Sequence, residues 1–119
     1  LKYKDNVFLF DGIINNVLKT SVLENYGAKL RSNFLRLSNC GISQPTHREF
    51  LEIAAPDFVV FSGIKALDKT LHLKRNNLIK LLTRKNIKYY PIEKYGNIYI
   101  ISNGKDLKIL DKDYKSIID

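Results

Sequence analysis

Cysteine is almost missing from this chain, proline is sparse and no apolar run is long: one Cys and three Pro stand among 119 residues. A single thiol, Cys40, excludes an intramolecular disulfide and any zinc site built from several cysteines. No apolar stretch approaches the roughly 18–20 residues needed to span a bilayer, and no signal-peptide pattern is present, so direct membrane insertion by this segment is not expected. Internal repeats and low-complexity linkers are also lacking, which favours one unit over residues 1–119. The first residue is Leu1, not Met. The expectation is therefore a partial domain, a soluble part of a larger and membrane-associated parent, with its compartment left open.

Acidic residues are outnumbered, 12 against 20 Lys and Arg, for a formal charge of +8. Such an excess favours an anionic partner, nucleic acid or an anionic membrane surface. The competing reading is a lysine-rich surface that is only solvated. Apolar residues make up 45% of the chain, enough for a core and too many for disorder.

Hydrophobic spacing divides the chain into alternating strands and helices. Residues 6–10 (NVFLF), 33–37 (NFLRL) and 57–62 (DFVVFS) read as strands. Residues 13–26 carry helical spacing and stop at Gly27. Residues 46–54 form a second helix with a Thr46 cap and Glu49 three positions on. Residues 63–73 lack clean periodicity and read as loop, and residues 74–86 as a basic amphipathic helix. Short strands follow at 87–90, 98–102 and 107–110. This order implies an α/β layer, one mixed sheet with helices on one face. The runs VFLF and FVVF are apolar at consecutive positions, so both faces of the sheet should be buried. Three helices cover one face; the other then needs a cover, from a missing half of the fold or a homodimer partner on the open face.

The register of these segments resembles the C-terminal half of a metallo-β-lactamase-type domain, as found in ComEC-type competence DNA-uptake proteins. YKDNVFLFDGI is similar to the family stretch YGD-x-x-FLFTGD. NFLRLSNCGISQPTHREFLEIAAPDFVVFSG is similar to VLKVPHHGS-x-x-S followed by EFLEAVKP and YAVIS. LHLKRNNLIKLLTRKNIKYYPIEKYGNIYI is similar to GHP-x-x-EVLERL and VYRTD-x-DGAI-x-I. The resemblance covers residues 1–101 and implies half of an αββα sandwich.

It fails at the chemistry. Where the family has a metal-binding carboxylate in its TGD turn, this chain has Ile13, with Asp11 two positions early; in extended chain a two-residue shift displaces the side chain by roughly 6–7 Å. Where the family has HHG, this chain has Asn39-Cys40-Gly41. Only His72, at the place of the family's GHP histidine, survives, and the HxHxDH signature lies outside the chain. Asn is a poor ligand for transition metals and one thiol builds no site alone. Asp11, Ile13, Asn39, Cys40 and His72 are thus expected to line a vestigial pocket with no metal, no cofactor and no catalytic residue. Cys40 has no sequence-adjacent base to activate it, and His47 falls on the first turn of a helix.

Lys65, Lys69, Lys74, Arg75, Lys80, Arg84, Lys85 and Lys88 form the densest basic tract, interrupted by Asp68 alone. As a DNA-binding surface it would contact phosphates without reading bases; the plain alternative is a solvated helix face. Tyr89, Tyr90, Tyr95 and Tyr99 either stack on single-stranded bases or pack on a sheet edge. The resulting expectation is a non-catalytic module of a DNA-uptake protein with a structural or electrostatic DNA-engaging role. Its rivals are a zinc- or manganese-dependent phosphodiesterase or nuclease completed by a missing N-terminal half, and a protein–protein interaction module without ligand.

Overall fold

A computed structural model describes residues 1–10, 16–37, 47–62 and 69–117. The chain forms β1 (Lys2–Tyr3), β2 (Asn6–Phe10), α1 (Asn16–Tyr26), a short 3-10 turn (Gly27–Leu30), β3 (Phe34–Leu37), α2 (His47–Ala54), β4 (Phe58–Phe61) and α3 (Lys69–Arg84). It continues through β5 (Lys88–Pro91), the single-turn α4 (Ile92–Tyr95), β6 (Tyr99–Ser102) and β7 (Leu107–Leu110).

Strands β1 to β5 lie in sequence order in one mixed sheet, and β6 and β7 make a separate two-stranded sheet. Strands β2 to β5 run parallel, while β1 is antiparallel to β2. Neighbouring parallel strands need crossovers, and α1, α2 and α3 supply them in turn. The α/β architecture and mixed sheet expected from the hydrophobic spacing are therefore present.

Side chains alternate between the two faces of a strand, and here both sets are apolar. On one face Leu35, Leu37, Val59 and Phe61 pack beneath Leu23 of α1, Phe50, Leu51 and Ala54 of α2, and Leu78 and Leu82 of α3. On the other, Phe34, Phe58, Val60 and Tyr90 are buried beneath Ile92 and Tyr95 of α4, Ile100 of β6, Leu107 and Ile109 of β7, and Ile117. The second face thus receives its cover over β3–β5 from the chain's own C-terminal segment, not from a partner as the sequence pattern had suggested. The cover is possible because Ile98, Ile100, Leu107 and Ile109 turn one apolar side of the hairpin onto the sheet.

Asparagines hold the amino ends of these strands together. Asn33 Oδ1 accepts from Val7 N at 2.9 Å, and Asn33 Nδ2 donates to Asp57 Oδ2 at 3.0 Å. Buried Asn6 does the same between sheets: its Nδ2 donates to the Lys105 carbonyl at 3.1 Å, and its Oδ1 accepts from Ser102 Oγ at 2.6 Å. Asp5 N also donates to the Gly104 carbonyl at 2.9 Å. Gly104 sits at φ +95°, where a side chain would be strained and would meet Lys4.

Helix α3 begins five residues earlier than its spacing predicts. Residues 69–73 are helical although Leu73 points to solvent, 60% exposed; that outward leucine spoils the apolar stripe on which the boundary was placed. Its end is a Schellman closure, with Asn86 at φ 55° and bonds from Ile87 N to Leu82 O and from Asn86 N to Thr83 O. Helix α2 ends on Ala55 at φ 42°, whose N–H reaches Leu51 O at 2.9 Å. Alanine there carries a Cβ in the left-handed region, at a cost of about 1 kcal/mol relative to glycine. Among the described residues no helix is long and apolar enough to cross a membrane.

Candidate nucleic-acid interface

Four of the five residues expected to line a vestigial pocket, Asp11, Ile13, Asn39 and Cys40, lie outside the described residues, as does Lys65 of the basic tract. His72 is exposed on the first turns of α3. Among the described residues no three His, Cys, Asp or Glu side chains gather into a group that could hold a metal ion.

The basic tract divides once α3 is placed. Its inward side is set by Leu78 and Leu82, buried against β3 and β4. Arg75 stands three residues before Leu78 and seven before Leu82, so it shares that side. It is only 9% exposed. Its guanidinium lies over the Phe61 ring, 4.9 Å from the centroid, and Nη2 faces the Glu93 carboxylate. Arg75 therefore ties α3 to β4 and α4 and does not belong to a solvent-facing binding surface. This removes one residue from the set expected to meet DNA.

Lys85 is also engaged. Its Nζ lies 3.2 Å from Glu52 Oε1, and Arg48 approaches the same carboxylate at 3.5 Å. The hydrogen bond and positive charge of Lys85, then those of Arg48, hold the Glu52 carboxyl below its ordinary value despite an opposing desolvation. The pair fastens the end of α3 to α2 and leaves less of the Lys85 charge for an outside partner.

What remains on α3 is an outward basic stripe interrupted by the exposed Leu73. Lys69, Asn76, Lys80 and Arg84 recur at spacings of seven, four and four, with Lys74, Asn77 and Thr83 also exposed. No Asp or Glu occurs between residues 69 and 92. Lys88 is exposed on edge strand β5, but it shares the hairpin side of the sheet with Tyr90 and so lies off this stripe. At 1.5 Å per residue, the fifteen steps from Lys69 to Arg84 extend about 22 Å. That length matches roughly six phosphates along one strand of a duplex.

The tyrosines proposed as stacking groups are committed to packing. Tyr90 is 2% exposed and makes edge contacts with Phe58 and Tyr95, at centroid distances of 6.0 and 5.8 Å. Tyr89 stacks on Phe61 at 6.3 Å, and Tyr99 on Tyr114 at 4.6 Å. The last contact raises the Tyr114 hydroxyl pKa through its hydrogen bond and charge interaction with Tyr99.

Sequence reasoning passed over two further cations, Lys105 and Lys108. They belong to the β6–β7 hairpin, which the fold brings beside Lys85 and Lys88 at the amino ends of β4 and β5. Their signal is weak in the chain itself: Lys108 is one polar position in the alternating strand Leu107–Leu110. Compared with protein-family models, with curated proteins and with solved structures, the chain gives no match.

Proposed function

We propose that this chain is a non-catalytic module that engages DNA electrostatically through the outward face of α3. The observation that carries the reading is the acid-free run of Lys69, Lys80 and Arg84 along one side of α3. Lysine and arginine at these spacings neutralise phosphates and release counterions, which gives affinity without base readout. The choice of DNA among polyanions rests on the sequence resemblance to competence DNA-uptake proteins. In that setting the module guides a strand or braces its parent, with Asp11, Ile13, Asn39, Cys40 and His72 as the relic of a metal pocket.

Fluorescence anisotropy with a short duplex tests the reading across a salt series. Affinity is expected to fall steeply and log-linearly with salt. The triple reversal Lys69→Glu, Lys80→Glu, Arg84→Glu should flatten that slope by about 3, near one unit per lost phosphate contact. Reversal of Lys29 and Lys112, away from α3, should leave it unchanged. Salt-independent binding, or equal slopes for both variants, overturns the reading. Phosphodiesterase activity on DNA with zinc or manganese overturns its non-catalytic part.

A further inference from the structure

We propose that the cleft at the amino ends of β3–β5 is a binding site for a nucleoside phosphate, with the phosphate held by hairpin lysines and the base laid on an apolar floor. The cleft has a volume of about 810 Å³ and opens between the starts of the parallel strands and the hairpin strand β7. That is within the range of small-molecule sites, roughly 300–1,000 Å³.

Its lining has two chemistries. Phe58, Ile87, Leu107, Ile109 and Ile117 provide apolar surface, and Lys85, Lys88, Lys105 and Lys108 stand around it. Asp57 and Asp106 also line it, and Lys85 is paired with Glu52, so the remaining lysines exceed the acids by one charge. A phosphate monoester carries about −1.5 to −2 at neutral pH, which complements that excess. Asp57 is partly spoken for by the Asn33 amide, and Lys85 by Glu52. Lys105 in the hairpin turn is then the natural phosphate contact, with Lys108, on the alternate side of β7 from Leu107 and Ile109, adding charge nearby. Asn86 and Ser116 add neutral polar groups to the wall, suited to the edge of a base.

The C-terminal carbonyls of α3 disfavour an anion here, an effect reduced where those of Leu81, Leu82 and Thr83 accept backbone hydrogen bonds from Lys85, Ile87 and Asn86. The cleft also begins where α3 ends, since Lys85, Asn86, Ile87 and Lys88 follow Arg84 directly. The same chemistry is therefore offered by a free nucleotide and by the phosphorylated end of a strand lying on α3. The site does not require the α3 reading to hold.

Titration of the isotopically labelled chain with AMP tests the site, read by amide chemical shifts. AMP is expected to shift Ile87, Lys88, Leu107 to Ile109 and Ser116. Adenosine and inorganic phosphate should each bind at least tenfold more weakly. Lys105→Glu with Lys108→Glu should lower AMP affinity at least tenfold with an unchanged thermal midpoint, whereas the α3 triple reversal should leave AMP binding intact. Displacement of AMP by a 5′-phosphorylated oligonucleotide, but not by its 5′-hydroxyl counterpart, assigns the strand end; displacement by neither assigns the free nucleotide. No shifts at these residues, or equal affinity for AMP and inorganic phosphate, overturns the proposal. Loss of AMP binding in the α3 variant alone also overturns it, because the phosphate would then sit on the helix. Retention on DNA without AMP binding removes the cleft and leaves the α3 reading; the reverse removes the α3 reading alone.

Discussion

The two faces of the sheet are built from alternate residues of the same strands, yet they are packed in different ways. The helix face is mainly aliphatic, with Leu35, Leu37 and Val59 meeting leucines of three helices. The hairpin face is an aromatic row. Phe8, Phe34, Phe58, Tyr90 and Tyr95 follow one another at centroid distances of 5.9, 5.4, 6.0 and 5.8 Å. Helices arrive between successive strands and interdigitate locally, where branched aliphatics fit. The hairpin arrives only after all five strands of the main sheet. A row of tilted rings gives it a continuous floor whose pair contacts each add about 0.5–1.5 kcal/mol beyond area burial.

The largest effects should come from truncating each face at its centre. Phe58→Ala is expected to cost about 4 kcal/mol and Leu35→Ala about 3 kcal/mol, from lost transfer energy and the cavities left. Hydrogen exchange separates the two: Phe58→Ala should release β6–β7 amides first, while Leu35→Ala should lower protection across β3, β4 and the helices together. Identical exchange patterns would mean that the faces are one cooperative unit.

A smaller effect isolates the tether. Asn6→Ala removes the partners of Ser102 Oγ and the Lys105 carbonyl and should cost about 1–3 kcal/mol, since buried polar groups are left unpaired. Its signature is faster exchange at Gly104 and in β6, with β3 and β4 unchanged in native conditions. On the helix face, Ala55→Gly should stabilise the chain by about 1 kcal/mol by relieving the left-handed alanine. Urea midpoints check it, and a neutral or lower midpoint would show that glycine's unfolded-state entropy offsets the relief.

The smallest effect depends on pH. The Glu52 carboxyl is held below its ordinary value by Lys85 first and Arg48 second. Its folded value is thus lower than its unfolded one, and the stability it contributes is complete above the ordinary glutamate range. That contribution is lost as pH falls through the lowered folded value. Glu52→Gln should therefore trail the parent at neutral pH and converge with it in acid, measured as urea midpoints. A gap that persists in strong acid would trace to packing instead.

Much of this contrast was legible along the chain, but unevenly. VFLF and FVVF announced a sheet buried on both faces because four consecutive apolar residues must fill both. Which segment covers the second face was not legible, since Ile98, Ile100, Leu107 and Ile109 alternate like any half-buried hairpin. Arg75 was readable in hindsight: its spacing to Leu78 and Leu82 places it inward, and charge alone had grouped it with the outward lysines. Lys105 and Lys108 could not be joined to Lys85 and Lys88 without the tertiary fold. The vestigial-pocket reading of Asp11, Asn39 and Cys40 rests on the resemblance alone, since these lie outside the described residues.

The Asn6 tether has a consequence for how the chain is made. It joins residues 99 and 96 positions apart, and closing so long a loop costs about 4 kcal/mol in chain entropy. During synthesis from the N-terminus, Phe34, Phe58 and Tyr90 therefore exist before the hairpin that shields them. A chain paused between residues 91 and 107 presents an aromatic sheet face to its surroundings, the kind of surface that invites aggregation. Ribosome pausing within that window, or slow docking of the hairpin, would be the stage at which this protein most needs a chaperone.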